Sequence, residues 1–555
     1  LFKMIPEDYK KTVEKAEAKG RINFNGIIKG VYYKEITPLI NIAFNIENGT
    51  VKYPGLPDEL KINEASAYVF KPEGNFDNLE IGVKKLNINM AGNPLAMHAK
   101  VKSVTGDPNI DAALKGVLDL GTLLKLFPID GLKMSGIVDA DASLKGNLSD
   151  IKENNFTKYV SEGKLGIKQF FVENKSLPKG ITVPNANVEL KNQNVIVSNL
   201  NGKIGKSDFS LNGKLDNFLS YIFKKGSLNG NFNLSSNLID ANEFLSDKGS
   251  ESSKSSGSAP ADTSKASDKP LVFPKNTNLN FNAKISRLLY QKLDITNFAG
   301  SMQLKDQTLT LNGVGMNMLQ GRLGLSGSVV ADGRPDPAVN LNLDVKSIDL
   351  PMAYSNIYLI EKYLPFAEKS QGKISTVLKL QSKLAGNLKM ILSSVSVSGS
   401  LSTLNVRMID NSAFYSLKKV IQTEMIKNPS LNDFTVYYEI KDGNLVFKPF
   451  KTAFAGQPVS ISGIYNLGGN LDFRIDGNVD RNILSSEIQK IIAYVPGHES
   501  ITKIDLGLDI KGDIKKPDIR FDSDKIKTQV INHVKKNAKK ELKDQAKKIL
   551  DKYIN

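Results

Sequence analysis

The sequence predicts a mainly β protein: a long antiparallel sheet with one apolar face, a few amphipathic helices and a C-terminal helix. The first observation is an apolar/polar alternation that recurs from Arg21 to Phe521. Its clearest segments are Leu279-Asn-Phe281-Asn-Ala283-Lys-Ile285, Val339-Asn-Leu341-Asn-Leu343-Asp-Val345, Leu471-Asp-Phe473-Arg-Ile475 and Ile504-Asp-Leu506-Gly-Leu508-Asp-Ile510. A strand turns successive side chains to opposite faces, so each segment has one apolar and one solvated face. The second observation is turn chemistry at Asn48-Gly49, Asn201-Gly202, Asn212-Gly213, Asn312-Gly313, Asp332-Gly333 and Asp442-Gly443. These pairs accept the positive φ of tight hairpins, which makes consecutive strands antiparallel neighbours. The third is a loose apolar-x-Gly-x-apolar repeat at Leu144 to Leu148, Leu211 to Leu215, Leu325 to Val329 and Ile510 to Ile514, too irregular in spacing for a strict solenoid.

Taken in order, the elements divide the chain into four stretches. Residues 1–246 read as a first β segment, preceded by a charged helix over Tyr9 to Lys19 and interrupted by a short apolar helix over Leu118 to Phe127. Residues 247–270, rich in Ser, Lys and Ala, have almost nothing to bury and read as a disordered linker or loop. Residues 271–524 form a second β segment with amphipathic helices over Met352 to Lys369, Met408 to Lys427 and Arg481 to Tyr494. Residues 525–555 complete the chain as one basic helix, on which Ile531, Val534, Ala538, Leu542, Ala546, Ile549 and Tyr553 draw a single apolar stripe.

Composition narrows the function. Cysteine is absent, which excludes disulfides, thiolate metal sites and cysteine nucleophiles. No apolar run approaches the roughly 18–20 residues of a membrane-spanning helix. The chain starts at Leu1-Phe2 without an initiator Met, which leaves room for a signal or anchor upstream. Of the formal charge of +16, the stretch from Lys525 onward supplies +7, with ten Lys against three acidic residues; the rest is thinly spread. No basic patch interleaved with stacking aromatics marks a nucleic-acid surface. His98, His498 and His533 stand far apart, no nucleophile elbow or phosphate loop occurs, and the pair Asp139 and Asp141 is what a charged strand face produces anyway. The expectation is a protein that is not an enzyme and uses no cofactor or metal.

Several segments carry a family resemblance. Leu120-Gly-Thr-Leu-Leu-Lys-Leu-Phe-Pro128 with Gly136 and Leu144-Lys-Gly146, Phe434-Thr-Val-Tyr-Tyr-Glu-Ile-Lys-Asp-Gly-Asn-Leu445 with Phe454-Ala-Gly456 and Val459-Ser-Ile-Ser-Gly463, and the closing Ile510-Lys-Gly512-Asp-Ile-Lys-Lys-Pro517 resemble AsmA-like proteins of Gram-negative envelopes. The resemblance implies a repeating β-groove, a curled sheet whose apolar floor carries lipid acyl chains as in the chorein-type bridge proteins. It implies a periplasmic chain anchored to the inner membrane by an upstream segment, moving phospholipid toward the outer membrane and contributing to its homeostasis. Leu279, Phe281, Ile285, Leu341, Leu343, Leu471, Phe473, Ile475, Leu506 and Leu508 are the expected groove lining. Lys535, Lys536, Lys539, Lys540, Lys543, Lys547 and Lys548 are candidates for docking on an anionic membrane surface, with capping of the last strand as the alternative. Phospholipid acyl chains, a membrane surface and envelope or outer-membrane proteins are the expected partners, with no nucleic acid. The competing reading is a periplasmic scaffold for outer-membrane protein assembly built from tandem β-sandwiches, since alternation alone does not separate an open trough from a closed core.

Overall fold

The structure, a computed structural model, describes residues 17–244, 272–384, 390–408, 421–422, 433–494, 498–537 and 540–553, apart from 35, 53–58, 91, 127, 154, 156–157, 175–176, 225, 455 and 515. The expected linker, residues 9–16 of the first expected helix and nearly all of Met408 to Lys427 lie outside the described residues. The chain is mainly β, and its described residues form 25 strands, mostly antiparallel, that do not close into a barrel. Two compact units divide it: the first runs to Ser246 and adds Pro274–Arg287 and Ser301–Asp306, and the second holds Leu288–Gly300 and the residues from Gln307 onward, with Val272 and Phe273.

In the first unit the strands are β1 (Glu17–Lys29), β2 (Leu39–Lys52), β3 (Leu60–Lys71), β4 (Glu80–Met90), β5 (Asn93–Lys102), β6 (Asn109–Asp119), β7 (Lys133–Asn147), β8 (Val160–Asn174), β9 (Leu177–Lys191), β10 (Asn194–Ile204), β11 (Ser207–Asp216) and β12 (Leu228–Asp240). Each pairs antiparallel with the next in chain order. Residues Glu17 to Lys19, expected in a helix, open β1 instead. Alternation continuous with Ile22, Phe24 and Gly26 outweighs their local helix preference, because twelve residue pairs with β2 reward the extended form. Helices α1 (Leu120–Leu126), α2 (Leu148–Glu153) and α3 (Phe218–Lys224) follow strand ends. Ile151 on α2, Tyr159 and Leu219 on α3 form a small buried cluster with Leu144 and Phe218 against it. At the end of β3, Lys71 is wholly buried, its Nζ donating to the carbonyls of Thr37, Pro72 and Gly74 at 3.2, 2.8 and 3.1 Å.

Strands β13 (Thr277–Tyr290) and β14 (Leu293–Lys305) have residues in both units. The second unit continues with β15 (Thr308–Met318), β16 (Gly321–Val330), β17 (Ala338–Asp349), β18 (Ser370–Lys383), β19 (Ser396–Met408), β20 (Thr435–Lys441), β21 (Asn444–Phe454), β22 (Gln457–Asn466), β23 (Asn470–Asp480), β24 (Lys503–Asp513) and β25 (Asp518–Phe521). These too pair in chain order. The helix expected over Met352 to Lys369 is three pieces: α4 (Leu350–Asn356), α5 (Tyr358–Tyr363) and a 3-10 turn over Pro365–Lys369. Asp349 caps α4 by accepting from the Met352 N–H, and Pro365 ends the helical run because it lacks a donor. Over Arg481 to Tyr494 only Ser486–Ala493, α6, is α-helical, capped by Ser485.

The basic C-terminal helix is broken and folded back. Helices α7 (Ser523–Asn537) and α8 (Lys540–Tyr553) bring Lys527 within 3.8 Å of Asp551, whereas one continuous helix would hold them about 36 Å apart. Ile526, Val530 and Val534 on α7, spaced four apart, sink into the largest core of the second unit, with Leu550 of α8 and Ile492 of α6. That core closes over Ile475, Val479, Ile504, Leu506 and Leu508 of β23 and β24. A single stripe does not form, because Ile526, Val530 and Val534 of α7 and Leu550 of α8 converge on one core.

Of the six expected hairpin turns, Asp442-Gly443 joins two strands, β20 and β21, with both residues at positive φ. Asp332-Gly333 lies in the connection after β16, and the other four sit inside β2, β10, β11 and β15. Asn312-Gly313 is a bulge, with the register slipping between Leu311 and Val314. Gly213 is a close approach, since a Cβ there would stand 2.3 Å from the Phe232 ring of β12. Tight hairpins elsewhere place Asp306-Gln307 and Leu319-Gln320 at positive φ, residues that carry no such signal in sequence.

Candidate functional site: an apolar face carried across the strands of each unit

Strand register decides what each face presents, because residues directly opposite each other point the same way. In the first unit one row of directly paired residues crosses all twelve strands without a polar member. It begins with Ile22, Ile46, Ala65, Leu86, Met97 and Leu114 on β1 to β6. It continues through Ala142, Gly163, Leu190, Val195, Leu215 and Gly230 on β7 to β12. Beside it, Phe44, Ala67, Val83 and Ala99 make a second row and Ile42, Val69, Ile81 and Val101 a third, and a concavity of about 350 Å³ opens among them.

This face is apolar but not covered. From Ile22 to Leu215 every position of the long row stays partly or largely accessible, and Gly230 at its end is buried. Of the first unit's helices, α2 and α3 shelter Leu144, at one margin of the face. The opposite face is charged: Lys115 pairs with Asp141 at 2.8 Å and Lys133 with Glu173 at 2.8 Å. On the same charged face, behind the concavity, Tyr68 donates to Glu80, which Lys102 approaches to 3.3 Å. Burial, then the Glu80 carboxylate, pushes the Tyr68 phenol up to about 12, while Tyr68 and Lys102 hold Glu80 below its usual value against the upward push of burial. The phenol stays protonated and the carboxylate charged at neutral pH.

The expected lining residues fall into two environments. Leu279, Phe281 and Ile285 of β13 belong to the first unit, Phe281 stacked on Phe232 with ring centroids 5.4 Å apart and Ile285 buried. In the second unit Leu343, Leu378, Gly399, Tyr438, Phe447 and Gly463 form one cross-strand row from β17 to β22, continued by Phe473 and Ile510. Leu341 lies one step along in the same face, opposite Leu380, and Leu471 lies opposite Tyr465. Phe447 stands 5.7 Å from Phe473 and 6.4 Å from Tyr438. Ile475, Leu506 and Leu508 share that face but are closed over, the two leucines at 1% exposure under α7. Of the docking lysines, Lys535 and Lys536 on α7 and Lys547 and Lys548 on α8 are exposed; Lys540 and Lys543 also lie on α8, and Lys539 lies outside the described residues.

The sequence reading missed the face that is most open, on β1 to β12, because its apolar positions are often Ala or Gly and its alternation is broken by bulges such as those between Val83 and Leu86 and between Val197 and Leu200. Pairing register, which bulges reset, is what aligns them. His98 lies 3.5 Å from Asp111, His498 beside Arg481, and His533 within 2.8 Å of the Ser500 hydroxyl. Among the described residues no group of acidic or histidine side chains is set to hold a metal. No protein-family model, curated protein or solved structure matches the chain.

Proposed function

We propose that the protein binds lipid acyl chains along the apolar face of its strands and passes phospholipid between membranes, without catalysing a reaction. The observation that carries this is the row from Ile22 to Gly230, apolar across twelve strands and accessible from Ile22 as far as Leu215. At about 4.8 Å per strand the row extends for roughly 50 Å. An acyl chain of ordinary length gains about 0.8 kcal/mol for each methylene it removes from water, so a continuous face lets it travel where bulk water forbids it. The resemblance to AsmA-like proteins supports the same reading and brings with it a periplasmic site, an anchor upstream in the inner membrane and a contribution to outer-membrane homeostasis. Among the described residues no helix is long and apolar enough to cross a membrane.

The scaffold reading draws on a different observation, the closed core under α6, α7 and α8, which behaves as an ordinary protein interior. Lipid extraction and native mass spectrometry of the chain purified without detergent separate the two. Co-purifying phospholipid that is lost in Met97→Asp with Leu114→Asp, at an unchanged circular dichroism spectrum, is the expected result. A lipid-free wild-type chain that also fails to move labelled phospholipid between liposomes sinks the conduit reading.

A further inference from the structure

Strand β1 is an open edge. Among the described residues it pairs with β2 and no other strand, which leaves its outer N–H and C=O groups without a partner there. All 13 of its residues are exposed, Phe24 at 62% and Ile28 at 69%. An edge this long and this apolar is a template for another strand. At the other end of the strand order β25 has four residues, and α7 begins two residues beyond it.

What β1 fits best is its own sequence. Read antiparallel against a copy of itself about Asn23, it opposes Glu17 to Lys29 at both ends, Ile22 to Phe24 twice and Ala18 to Ile28 twice. Gly20, which faces the bulge of β2 at Asn48-Gly49, meets Gly26 of the copy, a position with no side chain. Neighbouring registers lose this match. A two-fold at Phe24 opposes Lys19 to Lys29, one at Ile22 sets Glu17 against Ile27, and one between residues mixes the apolar and polar faces. We propose that β1 pairs antiparallel with β1 of a second copy about a two-fold axis at Asn23. The pairing sets Ile22 and Phe24 of one copy against Phe24 and Ile22 of the other, so the apolar row runs on unbroken into the partner. It stands whether or not that face carries lipid.

The chain contains no cysteine, which makes a single introduced thiol a register probe. In the full-length chain Asn23→Cys places two thiols directly opposite each other, with Cα atoms about 4.5–5.5 Å apart, within disulfide range. Asn25→Cys faces Arg21 instead, its own mate about 13 Å along the partner strand. Under mild oxidation Asn23→Cys is expected to run as a covalent dimer while Asn25→Cys stays monomeric. Sedimentation of the wild type is expected to show a concentration-dependent doubling of mass that Phe24→Lys abolishes at unchanged thermal unfolding. Asn23→Cys that cross-links no faster than Asn25→Cys, or a wild-type chain that sediments as a monomer at every concentration, overturns the proposal.

Discussion

Single side chains fix the ends of the strands. Lys71 inserts a buried ammonium among three carbonyls, tying Thr37, before β2, to Gly74, after β3. Lys71→Met keeps the length of the stem but removes the donors, and a charged hydrogen-bond donor of this kind is worth on the order of 2–3 kcal/mol. Denaturant unfolding should register that loss. In the second unit Arg474 of β23 gathers Asp476, Asp509 and Asp522 at 3.0, 3.2 and 2.6 Å, and Lys525 of α7 joins Asp476. Arg474 holds the Asp522 carboxyl below its usual range, and Arg474 with Lys525 does the same for Asp476 against the opposing push of burial. A depressed carboxylate stabilises the fold fully above its ordinary value, about 3.8, and loses that contribution as pH falls through the lower folded value. The melting temperature should therefore drop as pH falls below about 4, and Arg474→Met should flatten that part of the curve.

At the scale of elements, α7 decides what the end of the sheet can do. Ile526→Ala removes a side chain with no solvent exposure from the main core, and such truncations cost about 2–5 kcal/mol. Leu506→Asp with Leu508→Asp should unfold the same region, because two carboxylates would be buried without partners, so these positions test stability and not passage. Replacing Lys535, Lys536, Lys547 and Lys548 with Gln should leave unfolding unchanged. The same variant is expected to weaken co-sedimentation with anionic vesicles at low salt, since each Lys near such a surface is worth about 1 kcal/mol.

Strand existence was legible from alternation in Val339 to Val345 or Ile504 to Ile510, because period two has one cause. The fold-back of α7 on α8 was not, since three- and four-residue spacing is satisfied equally by one long helix and by two short ones. Nor was the open face of β1 to β12, where Ala65 or Gly163 carries no apolar signal until pairing places it between larger neighbours.

Across the whole chain, apolar area is unevenly spent on burial. The second unit concentrates Ile483, Leu484, Ile492, Ile504 and Val530 in one core, whereas the first has scattered buried residues such as Met90, Ala140 and Ala186. Native-state hydrogen exchange should find the slowest amides on β23 and β24 and the fastest strand amides on β1, whose outer groups have no partner among the described residues. Uniform protection over all strands would contradict this.

Pairing in chain order also bears on how such a protein acquires its dimensions. A strand that touches only the strands before and after it in sequence can be duplicated or lost together with its mate, and no distant contact has to be rewired. Each hairpin gained lengthens the run by two strand spacings, about 9.6 Å. Reach then becomes a quantity that gene-level duplication tunes in fixed steps, the way a ladder is cut to the height of a wall.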